Sequence, residues 1–318
     1  MFMGIGAFAA AAMLALGPPT AAQDFPSRTV TLVVAGAAGL PADIVARTLA
    51  PAMRQHLGQP VVVENKLGAG SLIGYEFAAR SKPDGYTIAV VSEAQLASFP
   101  ATVKDLRFDP LKDLPPFIGL GEGRVLLVGT RANVGWTQYP DMVRAFQGKP
   151  GTLNFGVSAP NTVLLAHAFL QHHGIQGQIV PYSNAGPLVT DLVAGVNHMI
   201  WLGQSAVANV SARTSLLGIS GRSRSAALPE VPTFDELGLK GIPGLGYSLN
   251  APAGVPPERL AALFRAAAHA LDQDDVKSRF AQMQLDIQMM DAKTADQRFQ
   301  AAARLFSAVA KRADYKPE

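Results

Sequence analysis

Hydrophobic and polar positions along this chain alternate between two periods. Thr29 to Val34 is a β-branched, apolar run that reads as a strand, and a loop of small residues at 35–40 follows it. Pro41 then opens a helix, where a missing N–H costs little. Ile44, Val45, Leu49, Met53 and Leu57 form its apolar stripe, Asp43 sits in the first turn, and Gly58 is a natural stop. Pro51 falls inside the pattern and predicts a kink or two shorter helices. Val61-Val62-Val63 reads as a buried parallel strand, 71–81 as a helix, and 86–91 as a third strand introduced by the Asp84-Gly85 turn. The Pro-punctuated stretch 105–116 predicts a surface loop.

The alternation resumes beyond that loop. A strand at 125–128 is expected to run from a first lobe into a second. Helix 139–146, strand 152–157, helix 162–172, strand 178–180, helix 187–194 and strands 198–202 and 216–220 follow. After a Gly- and Pro-rich return at 241–247, the segments 256–270, 275–283 and 294–311 read as helices. Two βα arrays in one chain predict two α/β lobes. The last third lacks strands for a domain of its own, so it is expected to pack back on the first lobe. That gives a discontinuous lobe, 23–121 plus 246–318, around an inserted one at 122–245.

The N-terminus carries a separate signal. Residues 5–16 are apolar and rich in Ala, Gly17-Pro18-Pro19 breaks the run, and Thr20-Ala21-Ala22 offers small residues for cleavage after Ala22. This predicts a secretory signal peptide at 1–22, although no Lys or Arg precedes the apolar run. No other segment approaches the roughly 18 apolar residues of a membrane helix, so the expectation is a soluble, exported mature chain.

Composition narrows the function. Hydrophobic residues at 48% and charged residues at 16% describe a folded protein rather than a disordered one. A net charge of +3, with no basic run longer than Lys311-Arg312, argues against nucleic acid as a partner. The absence of cysteine removes disulfides, thiol catalysis and Cys-ligated metals. Gly68-Ala69-Gly70 and the glycine at 74 are mis-spaced for a nucleotide loop. Gly203-Gln204-Ser205 lacks the closing glycine of a nucleophile elbow. His167, His172 and His173 lack the spacing and the acid of a helical metal site. Neither a catalytic set nor a cofactor site is expected.

The segments "VTLVV…AAGLPADIVARTLAP", "LGQPVVVENKLGAG" and "KPDGYT" resemble the start of the Bug-type periplasmic receptors of tripartite tricarboxylate transporters. Further resemblances are "GTLNFGVS", "VPYSNAGPLVTDLVAG", "LPEVPTFDELGL" and "APAGVPPERLAAL", in the family's order. The resemblance implies a periplasmic binding protein of type II, a Venus flytrap with a ligand cleft between its lobes. It also implies a monomer that delivers a small organic anion to membrane permease subunits.

The resemblance further implies where that anion sits. In the family, backbone N–H groups of the loop matching 35–40 grip a ligand carboxylate, and N–H groups at a helix start favour an anion on general grounds. This marks Ala38, Gly39, Leu40 and Asp43. Gly39 matches the first of two family glycines, Leu40 replaces the second, and Ala35-Gly36 replace Pro-Phe. A second loop supplies Ser158, Asn161 and Thr162, with Leu165 in place of a family His. A third supplies Tyr182, Ser183 and Asn184, where Ser183 replaces a basic residue. Ser92 and Gln204 are added from their positions at strand ends. Each loop is also compatible with a plain capped turn. Two alternatives stay open: a ligand sensor for a signalling partner, and an enzyme on a two-lobe scaffold.

Overall fold

The computed structural model describes residues 25–317, apart from 184, 222, 241 and 243. The signal peptide expected at 1–22 lies outside the described residues. The chain begins with β1 (Val30–Val34), α1 (Pro41–Leu57), β2 (Val61–Asn65), α2 (Leu72–Ala79), β3 (Thr87–Ser92), α3 (Glu93–Thr102), a short α4 (Pro110–Asp113) and β4 (Pro116–Gly123). The middle holds β5 (Val125–Thr130), α5 (Tyr139–Phe146), β6 (Asn154–Val157), α6 (Pro160–His173), β7 (Gln178–Pro181), α7 (Ala185–Ala194), β8 (Met199–Gly203) and β9 (Thr214–Ile219). The chain closes with β10 (Leu245–Asn250), α8 (Pro257–Asp272), α9 (Asp274–Gln282), β11 (Leu285–Asp291) and α10 (Ala292–Arg312).

These elements make two sheets. The first has the order β11-β4-β10-β3-β1-β2 and the second β7-β6-β8-β5-β9. In the first, β1 runs parallel to β2 and β3, while β10 is antiparallel to both β3 and β4. The carboxyl ends of β1, β2, β3 and β4 therefore share one edge. In the second sheet, β6 is parallel to β7 and β8, and β5 is antiparallel to β8 and β9. The carboxyl ends of β6, β7, β8 and β9 therefore share the edge at which β5 begins. The chain passes from the end of β4 to the start of β5 through Arg124 alone, so those two edges face each other across the lobe junction.

Side-chain alternation assigns the faces of the first sheet. Leu32, Val34, Ile88 and Val90 point toward α1 and α8, while Val33, Ala89 and Val91 point toward α2, α3 and α10. The second of these clusters does not stop at the lobe boundary. Phe99 and Phe306 of the first lobe are buried in the same cluster as Phe155, Leu165 and Phe169 of the second. Helix α6 packs directly on α3 and α10. One flank of the junction is thus joined by apolar packing.

Several expectations change. α1 continues through Pro51 as one helix; Pro51 lies on the exposed side, where the carbonyl that loses its partner can turn to water. β2 is an edge strand, and Val62 is half exposed rather than buried. The stretch 105–116 contains α4, capped by Asp109, and ends at the first residue of β4. The strand expected at 125–128 is β5, which pairs only within the second sheet; β4 brings the chain to it. The last third does contain strands, β10 and β11, and both join the first sheet. Among the described residues no helix is long and apolar enough to cross a membrane.

Phe306 is fully buried in the cluster that joins the lobes. Phe306→Ala should therefore lower unfolding free energy by about 3–5 kcal/mol, read from urea denaturation. A loss below about 1 kcal/mol would mean that this packing contributes little.

Candidate functional site at the lobe junction

The loop between β1 and α1 is held by one carboxylate. Asp43, 2% exposed, accepts the Gly39 N–H at 2.8 Å, the Arg47 Nε at 2.9 Å and the Asn65 Nδ2 at 2.9 Å. Asn65, at the end of β2, also donates to the Gly36 carbonyl at 3.0 Å and accepts from Arg47 Nη2 at 3.0 Å. Burial alone would raise the Asp43 carboxyl, but the bonds from Arg47, Gly39 and Asn65 outweigh it and hold the group below its ordinary value. Two glycines make the loop possible. Gly39 sits at φ +81°, and a Cβ on Gly74 of α2 would lie 2.7 Å from the Ala35 Cα.

With Asp43 turned inward, Ala38, Gly39 and Leu40 are left on the surface, Leu40 at 52% exposure. Among the described residues the N–H groups of Ala37 and Ala38 have no acceptor. They stand with the start of α1 at the carboxyl end of β1, where the helix dipole favours negative charge.

The loop before α6 follows the carboxyl end of β6 in the other lobe. The Thr162 Oγ1 accepts from the N–H groups of Ser158 (3.3 Å) and Ala159 (3.1 Å) and donates to the Ala159 carbonyl at 2.7 Å. Thr162 thus shapes the turn. Asn161 is 8% exposed as a residue, and among the described residues its amide makes no hydrogen bond but is not one of the sealed, unpartnered groups. Leu165, in place of the family His, is packed in the apolar cluster between the lobes.

The other sequence-marked residues divide by role. Ser92 is the N-cap residue of α3, and its N–H donates to the Tyr75 hydroxyl at 3.1 Å. Tyr182 turns into its own lobe: its hydroxyl donates to Asp191 at 2.6 Å and accepts from Asn197 at 2.8 Å. Ser183 is exposed beside it, and Asn184 lies outside the described residues. Gln204 bridges the lobes, donating to Gln284 and to Ser225, each at 2.9 Å.

A cavity of about 380 Å³ lies beside that bridge. Its first-lobe wall is Pro41 and Ile44 of α1, Tyr247 of β10, and Met283; Gly203 and Ala206 form the second-lobe wall. Tyr247, Met283 and Gln284 were not marked from sequence, since β10 and the turn before β11 carry no motif. A larger cavity of about 490 Å³ lies on the α10 side, where the carboxylates of Glu122, Asp235 and Asp286 outnumber the guanidinium groups of Arg124 and Arg298. The smaller cavity is the one that suits an anion. No cluster of metal-ligating side chains occurs among the described residues.

A two-lobed α/β protein with facing strand ends and helix starts at the junction has the architecture of the periplasmic-binding-protein class. Residues 45–312 match the tripartite tricarboxylate transporter family receptor, and the chain belongs to that family. It is therefore a solute-binding receptor and not an enzyme, in a family of periplasmic receptors for small carboxylates. It is 32% identical over 283 residues to protein BugT of Bordetella pertussis, covering 87% of this chain and 86% of that one. Among solved structures it resembles Rpa4515 of R. palustris with adipate, at TM-score 0.79 and 26% identity, covering 93% and 100% of the two chains. It also resembles MatC of Rhodopseudomonas palustris with bound malate, at TM-score 0.75 and 28% identity, covering 90% and 100%.

The Asp43 network gives a pH prediction. A carboxyl depressed in the folded state contributes stability above its unfolded value, near 3.8, and loses it as pH falls through the lower folded value. Lowering pH from 7 to 5 should therefore leave the loop intact. Asp43→Ala should cost about 1–3 kcal/mol at pH 7, and this difference from the parent should shrink in acid below the folded value. A constant difference throughout would show that the charge is not what the loop uses.

Proposed function

We propose that this chain is an exported receptor that holds a small organic carboxylate between its lobes and hands it to a membrane permease. The ligand oxygens are met by the N–H groups of Ala37 and Ala38 and those at the start of α1 on one lobe, and by Ser158 and Asn161 on the other. Ser92 and Ser183 edge the same cleft. Asp43, Thr162, Tyr182 and Gln204 hold the loops and the junction in shape. The lobes close over the ligand, and the closed monomer, with 1–22 removed, docks on its permease.

The observation that carries this reading is the pair of unanswered polar sets at facing strand ends. Ala37 and Ala38 offer N–H groups without acceptors, and Asn161 offers a side-chain amide that makes no hydrogen bond among the described residues and is not sealed off from solvent. Open donors at helix starts in both lobes fit a ligand that supplies the acceptors. The likeness to structures holding malate and adipate supports the same class of ligand.

A thermal-shift screen of the mature protein from Gln23 against mono-, di- and tricarboxylates and amino acids tests the reading. A selective rise in melting temperature is expected, because a ligand bound only by the native state stabilises it. No shift with any carboxylate, from a folded sample, would contradict it. Gly39→Val forces a β-branched residue into a left-handed conformation. It should weaken carboxylate binding at least about tenfold, or about 1.4 kcal/mol, in titration calorimetry. Unchanged affinity would remove this loop from the site.

A further inference from the structure

We infer that the cavity of about 380 Å³ beside the Gln204–Gln284 bridge is a second ligand site, for an organic anion with a short apolar body, held by Arg279 and Tyr247. It is separate from the carboxylate site proposed above, because none of the residues 36–40 or 158–162 lines it.

The charge around this cavity has one sign. Among the described residues Arg124 and Arg279 line it, and no carboxylate does. Arg124, between the lobes, donates to the carbonyls of Ser220 at 3.2 Å and Ser223 at 2.5 Å. Its nearest acid, Asp286, stands 3.7 Å away and lines the other cavity. Arg279 is exposed on α9, and its only hydrogen bond among the described residues goes to the neutral Gln282 Oε1 at 2.9 Å. The rest of that guanidinium is free to take an anion. The end of α9 does not cancel this charge, because the Met283 and Gln284 N–H groups take the carbonyls of Arg279 and Ala281. A concave site lined by one sign of charge draws the opposite sign.

Tyr247 is the second, independent sign of a ligand. It is 5% exposed, yet among the described residues its hydroxyl makes no hydrogen bond. A buried tyrosine hydroxyl usually finds a partner. This one is not a sealed, unpartnered group, so it opens on the cavity that its residue lines. Burial raises its pKa, and Tyr75 nearby adds to the effect, so it stays a protonated donor. Between these polar groups Pro41, Ile44, Met283 and Leu285 present hydrocarbon. A volume of about 380 Å³ accommodates a short alkyl chain or a single aromatic ring.

Titration calorimetry tests this in the mature Gly39→Val protein, in which the proposed carboxylate loop is impaired and folding is checked by circular dichroism. Benzoate and hexanoate are the probes. At least one should bind, and adding Arg279→Gln should weaken it at least about tenfold through loss of a charge-assisted bond. Adding Tyr247→Phe instead, which keeps the ring, should weaken it about threefold or more. Benzyl alcohol, without the charge, should bind at least about tenfold more weakly than benzoate. Binding of neither probe to folded Gly39→Val would overturn the inference, and the loop site would stand alone if the parent protein binds them. Binding unchanged by either added substitution, or benzyl alcohol matching benzoate, would overturn it too. In the parent protein, whether or not Gly39→Val folds, the Arg279 Nε–H signal should move in NMR as the probe binds; a fixed signal would equally overturn the inference.

Discussion

The cleft depends on where the Asp43 carboxylate points. An acid in the first turn of a helix that starts at a ligand site would repel an anion if it faced the cleft. Here it is drawn beneath the loop by Arg47, by Asn65 from the neighbouring strand and by the Gly39 N–H. The same bonds fix the path of 36–39, so the backbone that remains outside presents its N–H groups without rearrangement. The electrostatic silence of the site and the shape of its first loop thus have one cause. Gly39 and Gly74 supply the conformational room that the arrangement needs.

Topology does the rest. Each sheet sends its parallel carboxyl ends to the edge that meets the other lobe, and the direct passage from β4 to β5 keeps those edges opposed. Helix starts follow β1 and β6, so dipoles of the same sense converge from both sides. The α3–α6–α10 packing fixes one flank of the junction, and the Gln204–Gln284 bond ties a polar point beside the cavity. In the proposed site, binding rests on placed N–H groups and shape, and it needs no reactive side chain.

Much of this was legible in the chain, and the gaps have physical causes. α5 was read at the bounds 139–146 because Pro140 and its apolar face give a clean helical period. α3 gave no such period, since the residues of "EAQLASFPAT" are buried on nearly every side and Pro100 sits inside it. β4 and β10 are interrupted by glycines, and β11 is an edge strand carrying Asp, Gln and Met, so none looked like a strand. At the site, the loops could be marked from strand-to-helix order. The inward turn of Asp43 and Tyr182 could not, because Asn65, Asp191 and Asn197 approach from other elements. The resemblance to a family supplied the expectation of a carboxylate; the hydrogen bonds that hold Asp43 beneath its loop came only with the fold.

The most direct measurement is amide NMR of the isotopically labelled mature protein during titration with a carboxylate that raises its melting temperature. The account predicts downfield movement of the Ala37 and Ala38 amide protons and of the Asn161 signals, as hydrogen bonds to the anion form across both lobes. Binding that left these resonances in place while moving those of Arg124 and Arg279 would contradict it, and would put the anion on side-chain charge instead of on the backbone.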